Sequence, residues 1–347
     1  MPKKHHSSGK IKTLVSLLTI VALVAFVYAL RHQIVDTFNN LDNVNLWAIA
    51  LMPLLQVVNY HAYTKMYQHV YGILGDDLNY KKLFRVQLEL NFVNNVFPSG
   101  GVSGISYFSL RMRKLGAGAG KSTLVQVIKF ALIFLSFQIM LAIGLIALAI
   151  GGQANSFLIL IAGSLSTLLF VGTVGMAYIL SSRGRINGFF AYITRAINKL
   201  IHTFKRSSPE TIKIDKVHAT FNELHDNYVL LRKRLRELKK PLYYALLANT
   251  TEVLTIYAVY MAFDQFINPG AVIIAYAVSN FAGLISVLPG GIGIYEALMT
   301  GTLIAAGIPA ALSLPVTVMY RILNSIIQLP IGGYFYYKTL HERQAEN

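Results

Sequence analysis

The sequence predicts an all-α polytopic membrane protein with about six full spans, two broken re-entrant hairpins and an inverted repeat. Three observations carry that prediction. Hydrophobic residues make up 54% of the 347 positions and charged residues only 13%, where a soluble chain carries about 25% charged residues. The formal charge of +16 is confined to three segments: residues 1–12 carry +4, residues 111–121 carry +4 and residues 181–240 carry +9. Cations gathered between apolar runs are the positive-inside pattern of a membrane protein. Finally, two Pro-Gly breaks interrupt apolar stretches at matching places. This composition excludes a soluble enzyme, a disordered chain and a disulfide scaffold. The sequence has no cysteine, which removes thiolate metal sites and a catalytic thiol.

Each element follows from charge and length. A full span needs about 20 apolar residues. Residues 1–12 form a basic cytoplasmic N-terminus. Residues 14–30 form a first span, read as an anchor because no small-residue cleavage site follows the basic start. A second span covers 46–63, with Pro53 expected to kink it. Spans follow at 124–150 and 157–180, then a basic amphipathic cytoplasmic segment at 181–240, then spans at 242–263 and 312–336.

The intervening stretches are hairpins. Residues 83–110 lie between two cytoplasmic charged segments and must enter and leave on one side. They carry Arg85, Glu89, Asn91, Asn94 and Asn95 and break at Pro98, Ser99, Gly100 and Gly101. Such backbone is tolerated at membrane depth only where protein or water satisfies it. Residues 271–308 form a second hairpin, broken at Pro289, Gly290 and Gly291, and it opens to the outside. The C-terminus, with Lys338 and Arg343, is then cytoplasmic. The whole chain, 1–347, reads as one membrane domain, with one repeat over 46–150 and another over 242–336.

The breaks match in detail. Each proline is followed 18 residues later by a glycine, Gly116 or Gly307, and after 31 or 32 residues by an intramembrane cation, Lys129 or Arg321. Two units of opposite orientation form the inverted-repeat design in which broken helices meet near the midplane around a substrate site.

These residues carry a family resemblance. "NNVFPSGGVSG" followed by "LRMRKLG", and later "SVLPGGIGIYEAL" with "AAGIP", resemble the lysylphosphatidylglycerol synthase/flippase transmembrane family, the membrane part of the multiple peptide resistance factor. The similarity covers about residues 10–338. It implies a domain that moves aminoacylated phosphatidylglycerol to the outer leaflet of a bacterial cell membrane. That lipid repels cationic antimicrobial peptides, which gives antibiotic resistance. The full-length factor also has a soluble domain that transfers lysine to the lipid. No residue here matches that domain, so a translocase is expected more than a synthase.

Ionisable groups inside spans point to function by default. Glu296, just past the second break, is a candidate for a cationic headgroup or a proton, or else a structural partner of Arg321 or Lys129. Arg321 and Lys129 are candidates for a lipid phosphate, Arg321 through its planar fork, or for internal ion pairs. Glu252, beside Thr250 and Thr251, is a second headgroup or proton candidate. Glu89 and Asn94 are expected to line the same cavity, although the asparagines also serve a broken backbone. Gly100, Gly101, Gly290, Gly291 and Gly293 permit the turns, and N–H groups at the helix starts beyond them are candidates for holding phosphate. Arg111 either recruits anionic lipid or, the simpler reading, only sets topology.

The remaining patterns are blander. The run from Gly116 to Ser122 imitates a phosphate-binding loop, but the required first glycine is Leu115 and no strand precedes it. Within 181–240, an apolar stripe from Phe189 to Phe204 suits a helix lying on an anionic bilayer. The Val217, Phe221, Leu224, Tyr228, Leu231, Leu235 and Leu238 series is either a short coiled-coil seam or, preferably, a face packed on the membrane domain. The sequence implies no cofactor, no metal and no nucleic acid. The expected partner is an anionic or aminoacylated phosphatidylglycerol, with a homodimer as a further expectation. Two rival readings stand beside the flippase. One is a lipid-modifying transferase with Glu89 as base, and the other is a membrane partner for a separate synthase.

Overall fold

The computed structural model describes residues 44–97, 102–189, 214–281 and 291–345, together with positions 21, 24, 28, 31, 32, 35, 36 and 192. Most of the expected first span, the break at 98–101, the Pro289–Gly290 part of the second break and most of the 189–204 stripe lie outside the described residues.

Among the described residues the ordered elements are helices, four of them opened by asparagine. The Asn45 side chain accepts the Trp47 N–H at 3.0 Å and starts α1 (Leu46–Ile49). Ala50 leads into α2 (Leu51–Ile73). Pro53 lies in the first turn of α2, where a missing N–H breaks no helical bond. The chain is therefore interrupted at Ala50, ahead of the proline, and Pro53 is not the mid-span kink that the sequence suggested. Asn79 caps α3 (Tyr80–Val96), which pairs with α4 (Val102–Lys114) as the first hairpin. The long helices α5 (Ala119–Ile150) and α6 (Ser156–Leu180) follow. Then come α7 (Ile214–Arg232), a 3-10 turn (Leu235–Leu238) and α8 (Lys239–Ala262). Asn268 and Pro269 open α9 (Pro269–Asn280), and α10 (Ile294–Ala305) and α11 (Ala310–Ala345) complete the chain.

Helices α5, α6, α8 and α11 are long and apolar enough to cross a membrane. The faces of α5 and α6 that carry Ile139, Ile143, Ile146, Leu160, Phe170 and Val171 are exposed, as lipid-facing surfaces are. The protein is a polytopic all-α membrane protein.

The order long, short, short, long occurs twice, in α2–α5 and in α8–α11. The two halves interlock reciprocally. Helix α2 packs along α8, α3 packs on α11, and α9 packs on α5. The last two crossings are both made close by glycine. A Cβ on Gly270 would lie 2.4 Å from the Gly144 carbonyl oxygen of α5. A Cβ on Gly332 would lie 2.6 Å from the Leu88 carbonyl oxygen of α3. Small residues at such crossings let membrane helices approach. The second hairpin arms also end alike. Gly116 and Gly307 have φ of +89° and +85°. The next residue in each case donates back five positions, Ala117 N–H to Met112 O and Ile308 N–H to Leu303 O, both at 3.0 Å. This is a helix end that glycine closes without a Cβ clash.

The apolar core is divided. One cluster joins the N-terminal ends of α2 and α11 with the C-terminal ends of α5 and α8, and holds Met52, Leu141, Tyr260 and Val316. Another joins the opposite ends of α2, α5 and α8 with α4, and holds Tyr71, Phe108, Met112 and Leu124. Leu224 and Leu231 of α7 are buried in this second cluster. Leu224 and Leu231 therefore pack on the membrane domain and not in a coiled-coil seam, Leu235 is exposed, and the side chains of Val217 and Phe221 lie outside the described residues.

Candidate functional site

A polar layer separates the two apolar clusters. Helices α2, α5 and α8 feed both clusters and carry Gln56 and Asn59, Ser136, and Asn249 and Glu252 between their apolar ends, and α11 adds Asn324 and Gln328. The layer lines a cavity of about 260 Å³. Both halves line it. Helix α2 contributes Asn59 and Tyr63, α3 contributes Gln87, Leu90, Asn91, Asn94 and Asn95, and α5 contributes Lys129. From the second half come Glu252, Tyr276, Asn280, Tyr295, Tyr320, Arg321, Asn324, Ser325 and Gln328.

One chain of hydrogen bonds runs along the wall. Asn91 donates to Gln328 at 2.9 Å and to the Tyr60 hydroxyl at 3.1 Å. Gln328 in turn donates to Gln56 and to Asn324, both at 3.0 Å. The Tyr320 hydroxyl donates to Glu252 at 2.8 Å, and Gln56 reaches the same carboxylate at 3.4 Å. Glu252 has no cation in salt-bridge range among the described residues, and two neutral donors share its charge.

Lys129 is placed differently. Its ammonium lies over three rings, 5.6 Å from Tyr63, 5.8 Å from Tyr67 and 5.6 Å from Phe130. Among the described residues it has neither a hydrogen bond nor an acidic partner. Ring faces attract a cation weakly, so a cavity-lining ammonium held only by rings retains capacity for an anion.

The structure divides the residues singled out from the sequence. Asn94, Lys129, Glu252 and Arg321 come together on the cavity, from four different helices. Glu296 is buried beside it and pairs with Arg321, while its other oxygen accepts the Gly293 N–H at 2.7 Å. The N–H of Gly293 at the start of α10 is thus taken by the protein's own carboxylate. Gly291 and Gly293 turn the chain with φ of +69° and +85°, as the break predicted. Pro98, Ser99, Gly100, Gly101, Pro289 and Gly290 lie outside the described residues.

Glu89 and Arg111 do not line the cavity. Glu89 is fully buried and accepts from Arg111 Nε at 2.6 Å, Arg111 Nη2 at 3.2 Å and Arg85 Nε at 3.1 Å. The Thr339 hydroxyl at 2.6 Å and the Tyr107 hydroxyl at 2.9 Å complete its shell. The expectation that Glu89 shares the cavity with Asn94 is corrected. Five residues, about 1.4 turns, separate them and set them on different sides of α3, and Glu89 points between α4 and α11. Nor does Arg111 stand open to lipid, because Glu89 holds it.

The nucleotide-loop imitation also has a structural explanation. The run from Gly116 to Ser122 is the turn into α5 and its first residues. The Glu223 carboxylate of α7 accepts the Gly120 and Lys121 N–H groups at 2.9 and 3.2 Å. Lys121 pairs with Asp76 at 2.6 Å. The position an anion would occupy is filled from within the chain.

Sequence reasoning missed most of the lining. A signal for it exists. Tyr320, Arg321, Asn324, Ser325 and Gln328 recur at helical spacing on α11, and Gln87, Asn91, Asn94 and Asn95 do so on α3. A polar stripe on an otherwise apolar helix faces protein or water, never lipid.

The profile of the lysylphosphatidylglycerol synthase TM region matches residues 13–332. The chain belongs to this family. A UPF0104 membrane protein of Methanocaldococcus jannaschii is 23% identical over 337 residues, which is 96% of this chain and 95% of that protein. A UPF0104 membrane protein of Pyrococcus horikoshii is 28% identical over 142 residues, covering 41% of this chain and 42% of the relative. A third, from Methanothermobacter thermautotrophicus, is 34% identical over 91 residues, covering 26% and 27%. The chain thus spans less than half of the Pyrococcus relative and nearly all of the Methanocaldococcus one.

Proposed function

We propose that this family member is a lipid flippase, which moves a polar phospholipid headgroup between leaflets through the cavity. The observation that carries this reading is a 260 Å³ polar cavity enclosed within apolar, membrane-crossing helices, with Lys129 on its wall as an anion-seeking cation. Polar groups in a bilayer are costly, and those that line a cavity mark a substrate path. Lys129 takes the lipid phosphate. The amides and tyrosine hydroxyls replace water around the rest of the headgroup, and Glu252 offers a negative charge to any amine it carries. Lysyl-phosphatidylglycerol, the lipid in the family's description, supplies both a phosphate and amines.

The reciprocal packing of the two halves supports alternating access by rocking one repeat against the other. In this reading the protein sits in the cell membrane with both termini cytoplasmic. The transferase alternative needs Glu89 as a base. A carboxylate held by two guanidiniums and two hydroxyls is poorly placed to accept a further proton, and this favours transport.

The test is translocation of fluorescent phospholipids in proteoliposomes, with external dithionite reporting the exposed leaflet. Wild type is expected to accelerate exchange. Lys129→Met and Glu252→Gln should lose it while retaining the folded, monodisperse state. Wild-type exchange no faster than in protein-free liposomes, across lysyl-phosphatidylglycerol, phosphatidylglycerol and zwitterionic lipids, would overturn the reading.

A further inference from the structure

We propose that one face of α5, from Thr123 to Phe137, seats an acyl chain of the lipid whose phosphate lies at Lys129. The inference rests on reading the polar cavity as a headgroup site, and it adds a tail site inside the protein. A further cavity adjoins the polar one, and another adjoins that in turn. The first, of about 170 Å³, is walled by Phe130, Ile133, Phe134, Phe137 and Phe281, and shares Tyr63, Lys129, Tyr276 and Asn280 with the polar cavity. The second, of about 310 Å³, lies between α4, α5 and α6 against Ile105, Val127, Met176 and Ile179. It shares Phe130 with the first.

On α5 the two cavities use Thr123, Gln126, Val127, Phe130, Ile133, Phe134 and Phe137. These positions recur at three and four residues, so they form a single stripe. At 1.5 Å per residue the stripe runs about 21 Å, roughly two-thirds of a hydrocarbon core about 30 Å thick. Lys129 sits near its middle and turns into the polar cavity.

The chemistry selects the occupant. A molecule filling these spaces must put an anion at Lys129 and hydrocarbon along the adjoining stripe, and a phospholipid has that arrangement. A helix from another protein does not fit, because a helix about 10–12 Å across is too wide for cavities of 170 and 310 Å³. The aromatic walls suit a flexible chain, which needs apolar contact without hydrogen bonds.

Trp47 is the single tryptophan, so fluorescence can report on the groove. In a Trp47→Phe background, Phe134→Trp places a probe in the stripe, and Phe170→Trp places a control on the lipid-facing side of α6. Each is reconstituted into bilayers of phosphate-free glycosyl diacylglycerol. These are doped with phosphatidylglycerol or glycosyl diacylglycerol, each brominated on its acyl chains. The groove probe is expected to be quenched by the phosphate-bearing lipid at about tenfold lower mole fraction, the preference one charge-assisted hydrogen bond supplies. Lys129→Met should abolish that preference, and the control should show none. Equal quenching by the two lipids at the groove, or a preference that survives Lys129→Met, overturns the proposal. Phe130→Trp is the second probe should Phe134→Trp fail to fold. The readout is occupancy at equilibrium. Failed translocation with intact, Lys129-dependent quenching would reject transport and leave the tail site standing.

Discussion

Glu89→Leu tests whether the buried ion cluster is a structural clamp. Glu89 has no exposure and Arg111 is 8% exposed. Its removal leaves the Arg111 guanidinium without an acid in salt-bridge range among the described residues, and leaves the Tyr107 and Thr339 hydroxyls without their acceptor. Arg85 is less affected, because it is partly exposed and keeps Glu342 at 2.8 Å. Removing one partner of a buried pair costs about 3–5 kcal/mol, whereas replacing both by apolar groups of similar volume is often neutral. Glu89→Leu should therefore destabilise by about 3–5 kcal/mol. Glu89→Leu with Arg111→Met should recover part of this, with a coupling energy of about 1–3 kcal/mol in the double-mutant cycle. The assay is equilibrium unfolding in mixed detergent micelles, followed by far-ultraviolet circular dichroism. A single variant within about 1 kcal/mol of wild type, or two single costs that simply add, would refute the clamp. The cluster would then be a surface-like ion pair of little weight.

Further outcomes follow from the close crossings and the helix ends. Gly270→Ala and Gly332→Ala place a methyl group against backbone on α5 and α3. Each should cost about 1–3 kcal/mol by overpacking, measured in the same micelles. Gly163→Ala, where nothing lies within 4 Å of the added carbon, should not destabilise and gains up to about 1 kcal/mol from helix propensity. Equal effects at all three positions would sink the close-approach argument. Glu223→Ala should cost about 1 kcal/mol, the typical worth of a helix cap. It should also speed amide exchange at Gly120 and Lys121. Unchanged exchange there would mean that Glu223 does not cap α5.

The fold was largely legible in the sequence because lipid imposes one-dimensional rules. A span must be apolar for about 20 residues, and cations collect where the chain leaves the bilayer. Those rules located α6 and α8 to within three residues, α5 to within five and the start of α11 to within two, while α11 runs nine residues past its expected end. Gly116 and Gly307 were readable as a matched pair because their backbone conformation excludes a side chain with little regard to surroundings. Local backbone geometry is written residue by residue.

The site was less legible, because a polar residue in an apolar helix looks the same whether it meets a cavity or a neighbour. Glu89, Glu252 and Glu296 are each an acid in a buried helix. Only packing shows that Arg111 and Arg85 occupy the first, that Arg321 and the Gly293 N–H occupy the third, and that Glu252 faces the cavity with neutral partners. The same holds for the cations. Lys129 and Arg321 occupy matching places after the two breaks, yet Glu296 reaches Arg321 while Lys129, among the described residues, meets rings and no acid. Sequence sets which residues are carried to membrane depth. Which charge meets which is set by helix rotation and register, and these depend on contacts between segments up to 272 residues apart, as for Gln328 and Gln56.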